Sequence, residues 1–114
     1  MKKTKMLKKN YEFNRVFSKG NYYRGKSIEA FILKNAKGEN YLGLAISSKL
    51  GHAYQRNRLK RLLRENYKNM ESQLIDGISI VFLLNKKAKI NEISFYNVKE
   101  DIKVIFEKAH IMMW

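Results

Sequence analysis

Apolar and polar residues follow two rhythms along this chain, and the switches between them mark its elements. Phe13, Val16 and Phe17 fall at i, i+3 and i+4, behind Asn10, a residue type suited to an N-cap, and ahead of Gly20, a C-terminal stop. The spacing predicts a short helix with an aromatic stripe. Residues 27–34 alternate instead, with Ile28, Ala30 and Ile32 on one face and Glu29, Phe31 and Leu33 on the other. After a loop at residues 35–40, residues 41–47 resume the alternation, Leu42, Leu44 and Ile46 against the small Gly43 and Ala45. So short a connection predicts an antiparallel hairpin. Tyr22 and Tyr23 suggest a short extra strand before it.

From residue 53 to 70 the period becomes helical: Leu59, Leu62, Leu63, Asn66/Tyr67 and Met70 build one apolar stripe. Residues 78–84 read as a buried strand between Asp76-Gly77 and the loop at 86–89. A last helix is expected to start near Asn91, with Phe95, Val98, Ile102, Ile105, Phe106 and Ala109 on its core face. The order α-β-β-α-β-α, with the extra strand near Tyr22 as an addition, predicts an α+β fold: a small mixed central sheet with helices packed on it. With no proline, repeat or low-complexity segment, residues 1–114 read as one domain, residues 1–9 being expected as a flexible basic arm.

At 114 residues and 45% apolar content the chain can bury a small core. Its longest nearly unbroken apolar run, 78–84, is far shorter than the roughly 20 residues of a membrane-spanning helix. The basic N-terminus has no apolar segment behind it, which argues against a signal peptide. There is no cysteine, so disulfide and thiolate chemistry are excluded. The expectation is a cytoplasmic domain with no membrane partner. Charge changes the picture most. Lys and Arg number 24 against 10 acids, a net +14, and all of the excess lies in residues 1–70. There 18 basic residues face only Glu12, Glu29, Glu39 and Glu65, whereas residues 71–114 are neutral overall. Charge this one-sided points to a polyanion, nucleic acid before membrane.

The excess is densest on the predicted 53–70 helix. Arg56, Arg58, Lys60, Arg61, Arg64 and Lys68 stand with one acid, Glu65, among residues 56–68. Arg56, Lys60, Arg64 and Lys68 recur every fourth residue, with Asn57 and Arg61 beside them. Like charges at i, i+4 destabilise an isolated helix by about 0.2–0.5 kcal/mol per pair. Something else must therefore favour it: the leucine stripe and, on the other side, bound phosphates. Four of the chain's six arginines sit here, and Arg suits bidentate phosphate contact and base stacking. Lys86, Lys87 and Lys89 form a second cluster, either an extension of that surface or ordinary solvated lysines. Lys2, Lys3, Lys5, Lys8 and Lys9 are expected to form a flexible arm that orders on a nucleic-acid partner.

Residues 49–65 carry a resemblance. Lys49, Gly51, Ala53, Arg56, Asn57, Arg58, Lys60, Arg61, Arg64 and Glu65 occupy the fixed positions of the Arg-Asn-Arg signature of the bacterial ribonuclease P protein subunit. Leu7-Lys8-Lys9, Phe13, Val16, Phe17 and Gly20 are similar to that family's opening helix. The resemblance covers nearly the whole chain. It implies a ribosomal-protein-S5-domain-2-like sandwich with a left-handed β-α-β crossover, against the usual hand. It also implies a subunit of an endoribonuclease that cuts the 5′ leader from precursor tRNA. Its partner, ribonuclease P RNA, would carry the Mg²⁺ ions and the hydrolysis. The protein itself would then hold no metal, cofactor or catalytic residue, and would pair as a monomer 1:1 with that RNA. Lys49 joins the RNA-binding set on this ground, and the leader cleft maps onto Phe13, Phe17 and Phe31. Phe31 stands where the family often has Tyr, which removes a hydroxyl and keeps a stacking face. The competing reading of Phe13 and Phe17 is plain core; Val16 is read as core.

The residues agree with that division of labour. Phosphodiester hydrolysis by the protein would want clustered carboxylates or a pair of histidines. The acids of the basic half are scattered, and His52, in the turn before the basic helix, is far in sequence from His110 near a helix end. Two other readings stay open: a structural RNA-binding protein of the ribosomal type, and a DNA-binding regulator with the basic helix in a major groove. The second needs another helix just upstream, where residues 41–47 read as strand. The apolar end, Ile111 to Trp114, is expected to pack against the last helix.

Overall fold

The computed structural model describes residues 3–113; Lys2 of the expected arm and Trp114 of the apolar end lie outside the described residues. In chain order the elements are β1 (Thr4–Met6), α1 (Asn10–Lys19), β2 (Asn21–Arg24), β3 (Ile28–Lys34), β4 (Asn40–Leu44), α2 (Ala53–Met70), β5 (Ile78–Leu84) and α3 (Phe95–Ala109). Short 3-10 turns occupy Glu71–Gln73 and Ile90–Glu92, so α3 begins later than its pattern predicts, with Ser94 as N-cap. The strands form one mixed sheet in the order β1-β4-β5-β3-β2. The fold is α+β.

That order corrects the expected hairpin. β3 and β4 are not neighbours, because β5 lies between them, antiparallel to β3 and parallel to β4. The reason lies in β5 itself. All of its residues but Leu83 are buried, so it needs cover on both faces and takes the centre of the sheet. The loop after β3 then spans two strand spacings, about 9.6 Å, which a few extended residues cover easily. The flexible arm is corrected as well. Thr4–Met6 pair in parallel with β4, the Leu7 amide donates to the Leu42 carbonyl at 2.9 Å, and the Thr4 hydroxyl lies 2.6 Å from the Tyr67 phenol.

One face of the sheet holds the main core, where Ile28, Ala30, Ile32, Leu42, Ile80 and Phe82 meet the apolar stripes of α2 and α3. Tyr67 is wholly buried there, and its burial pushes the phenol up to about 12. Asp101, in the middle of the α3 stripe, accepts the amides of Lys26, Ser27 and Ile28 at 3.1, 2.7 and 2.9 Å. It pins the β2–β3 turn to α3. In the apolar end, Ile111 is buried in the same core cluster as Ile105 and Phe106 of α3, and the segment also pairs with residues 73–75, Ile75 N donating to Ile111 O at 2.9 Å and Met113 N to Gln73 O at 2.7 Å. His110 turns the chain into that pairing with a left-handed backbone, φ 55°.

The opposite face carries α1. Phe31, Val81 and Gly43 form one row across β3, β5 and β4. Phe17 touches one end of the row and Phe13 lies over the other, where a Cβ on Gly43 would come within 2.5 Å of its ring. Val16 is buried. Lys9, one residue before the expected Asn10, is the N-cap. The Glu12 carboxylate reaches back to the amides of Lys9 and Lys8 at 2.8 and 3.1 Å, and these bonds hold its carboxyl below the usual range. Among the described residues no helix is long and apolar enough to cross a membrane.

Candidate nucleic-acid interface

The turn into α2 is built by the residues that carry the signature. Gly51 takes a positive φ of 56°, and the Gln55 Oε1 accepts the His52 amide at 2.8 Å. The Arg56 guanidinium folds back to donate to the carbonyls of Leu50 and Gly51 at 3.2 and 2.9 Å. Arg58 reaches out of the helix to the Ile93 carbonyl at 2.7 Å, fastening α2 to the segment before α3. Two of the expected RNA-contacting cations thus also support the scaffold.

At about 100° per residue, Asn57, Lys60, Arg61, Arg64 and Lys68 fan over the arc of α2 opposite its leucine stripe, with Arg56 and Arg58 at the two edges. Asn57, Arg61, Arg64 and Lys68 are exposed and Lys60 is half-buried. Among the described residues Lys60, Arg61, Arg64 and Lys68 make no hydrogen bond or ion pair; the ion pair found there is Lys5–Glu39, 2.9 Å, at the sheet edge. Glu65 is the one acid on α2, and among the described residues it forms no ion pair with these cations, so the arc keeps a net positive charge that suits a polyanion.

The fold brings further groups to the base of α2. Lys49 is exposed in the preceding loop. The segment with Lys86, Lys87 and Lys89 also adjoins the turn, since Ile90 lies against Gly51, where a Cβ would approach it to 2.8 Å. Lys87 and Lys89 share with Arg24, Lys26 and Lys108 a depression of about 920 Å³. Lys8 and Lys9 are exposed at the start of α1, across the sheet from α2.

The aromatic residues separate into two neighbouring groups. Phe13 and Phe17 line a groove of about 390 Å³ between α1 and the end of β4, with Asn10, Asn14, Ile46 and Ser47. Phe31 does not line it. It meets Phe17 edge-on at 5.2 Å and Tyr22 at 5.3 Å. All three Phe residues are half-buried. Tyr22, 46% exposed, is a residue that sequence reasoning missed; the signal was its place opposite Phe31 once β2 pairs with β3. Its phenol is raised by burial and by the nearby Glu29 carboxylate. Ala45, Ile46 and Ser47 line the groove and lie in the loop to α2, so residues 45–52 join the aromatic and basic surfaces.

His52 caps the start of α2 and His110 the end of α3, and among the described residues no group of three or more His, Asp or Glu is placed to hold a metal ion. α1 and α2 are separated by three strands, so no helix-turn-helix precedes the basic helix. What the surface offers is positive charge, an amide side chain and flat apolar faces.

Known proteins share this fold. The family model for ribonuclease P matches residues 1–110. The chain is 33% identical over 106 residues to the ribonuclease P protein component of Natranaerobius thermophilus, covering 93% of this chain and 90% of that one. It is 36% identical over 103 residues to the same component of Caldanaerobacter subterraneus, covering 90% and 87%. The solved RNase P protein of Staphylococcus aureus superposes with a TM-score of 0.83 at 26% identity, over 94% of this chain and 96% of that one. With a five-stranded sheet, an unneutralised Arg-Asn-Arg helix and relatives matched almost end to end, this chain belongs to the ribonuclease P protein family.

Proposed function

We propose that this protein binds ribonuclease P RNA through the α2 arc and guides the 5′ leader of precursor tRNA along Phe13, Phe17 and Phe31. In this way it promotes endonucleolytic removal of the leader in the cytoplasm. Hydrolysis and its Mg²⁺ belong to the RNA, and the protein supplies charge and positioning. The observation that supports this best is the union of two surfaces. A cationic helix face whose lysines and arginines form no ion pair among the described residues connects, through residues 45–52, to an aromatic groove. The first suits the phosphates of a folded RNA, the second the bases of a single strand. Lys49, Arg56 and Asn57 would meet the RNA at the helix start, and Lys86, Lys87 and Lys89 would extend the contact. Lys8 and Lys9 lie on the leader side.

The test is cleavage of a precursor tRNA at low Mg²⁺ and near-physiological salt by the protein alone, by a bacterial ribonuclease P RNA alone, and by both. Cleavage in the mixture well above that of RNA alone is expected. A folded protein that binds RNA without raising cleavage would favour a structural RNA-binding role. Cleavage by the protein alone would contradict the assignment of hydrolysis to the RNA.

A further inference from the structure

The base of α2 also carries a pair of exposed rings. The rings of His52 and Tyr54 stack 5.6 Å apart with their planes 4° from parallel. Both residues are exposed, Tyr54 to 70%. Isolated exposed tyrosines are ordinary on protein surfaces, but this pair is built from beneath. Gly51 turns the chain at positive φ, Gln55 holds the His52 amide, Arg56 ties down the carbonyls of Leu50 and Gly51, and Ile90 closes the other side of the turn. The base of the stack is therefore ordered before any ligand arrives, which lowers the entropy lost on binding. Tyr54 also shares its helix face with Arg58 and Arg61, at i+4 and i+7. Flat apolar rings beside guanidinium groups match a nucleotide, with its π face and its phosphate.

We propose that the His52–Tyr54 pair is a nucleobase-stacking site, at which an unpaired base of the RNA bound along α2 extends the two-ring stack. The base must come from a loop, bulge or strand end, because bases inside an A-form duplex present no free face. The site rests on α2 being an RNA-binding helix. It adds to that helix a contact that phosphate attraction alone does not supply.

The test is binding of the full-length protein to a transcribed bacterial ribonuclease P RNA across a salt series, with Tyr54→Ala, Tyr54→Phe and His52→Ala beside the parent. Tyr54→Ala should weaken binding about 5- to 150-fold, the range that losing one base–aromatic stack implies. The slope of log Kd against log salt should not change, since no phosphate contact is lost. Tyr54→Phe should bind within about twofold of the parent, its ring face being intact, and His52→Ala should fall between the two. Melting temperatures should stay at the parent value. Parent-like binding by Tyr54→Ala overturns the site, as does an equal loss in Tyr54→Phe or a loss that comes with a shallower salt slope. A lowered Tm for Tyr54→Ala with parent-like binding by His52→Ala gives the ring a structural role and also overturns it. If the parent protein binds this RNA no better than an unrelated structured RNA, the RNA-binding reading of α2 fails and the site fails with it. That outcome is visible in the parent alone.

Discussion

At Phe17 two demands meet in one ring. It packs against Phe31 on the sheet in a T-shaped pair and also lines the groove beside Phe13. A packing role needs volume, whereas a leader-binding role needs a flat face, and substitution separates them. Phe17→Leu keeps most of the volume and removes the face; Phe17→Ala removes both. If the ring stacks on a leader base, both variants should lower the holoenzyme's affinity for precursor tRNA about 5- to 150-fold and leave mature tRNA binding unchanged. Equal losses for precursor and mature tRNA, or rescue by Leu, would make Phe17 a packing residue only. The sequence could not separate these roles, because aromatics at i and i+4 look alike whether they face a core or a cleft. Asp101 was illegible for another reason. It sits on an apolar stripe, and its partners are amides more than seventy residues upstream, which no local period encodes.

At the scale of elements, periodicity located α2 and β5 at their observed boundaries, since each repeats its pattern over many residues. Pairing was harder. The short loop after β3 reads as a hairpin, and only the two-sided burial of β5 explains why that strand enters between β3 and β4. β1 was missed because three residues, two of them polar, carry too little pattern to be told from an arm. On α2 the helical period placed the cations on one arc but could not show that Arg58 is also a strut to Ile93. This predicts different outcomes for two arginines of the same helix. Arg61→Ala should weaken binding to ribonuclease P RNA and reduce the salt slope by about 1, with Tm unchanged. Arg58→Ala should weaken binding and also lower stability by about 1 kcal/mol, the usual net value of one such hydrogen bond. The checks are a salt-dependent binding titration and a thermal melt of each variant. Identical behaviour of the two would mean that the Arg58–Ile93 contact does not support α2.

For the whole molecule, the sequence shows that charge is concentrated in its first 70 residues. It does not show that Lys86–Lys89, from the neutral part, return to the base of α2. The fold thus gathers charge that the sequence leaves dispersed, within a body whose Cα radius of gyration is 13.1 Å. A net +14 in that volume repels itself and lowers the stability of the free protein. An anion that binds only the folded state restores stability by mass action, by about 2.7 kcal/mol at a hundred times its Kd. For a domain of this size that raises Tm by roughly 10 °C. Sulfate or phosphate should therefore raise Tm more than chloride at equal ionic strength, because screening is then matched and only site binding differs. The general salting-out effect of sulfate grows steadily with concentration, whereas a site saturates. The increment should level off, and it should shrink in an Arg61→Ala/Arg64→Ala variant, which removes two unpartnered cations from the α2 arc. A rise that never saturates, or one that the double variant keeps in full, would show that the basic face does not concentrate phosphate-like anions. The arc would then be spread charge and not a site for an RNA backbone.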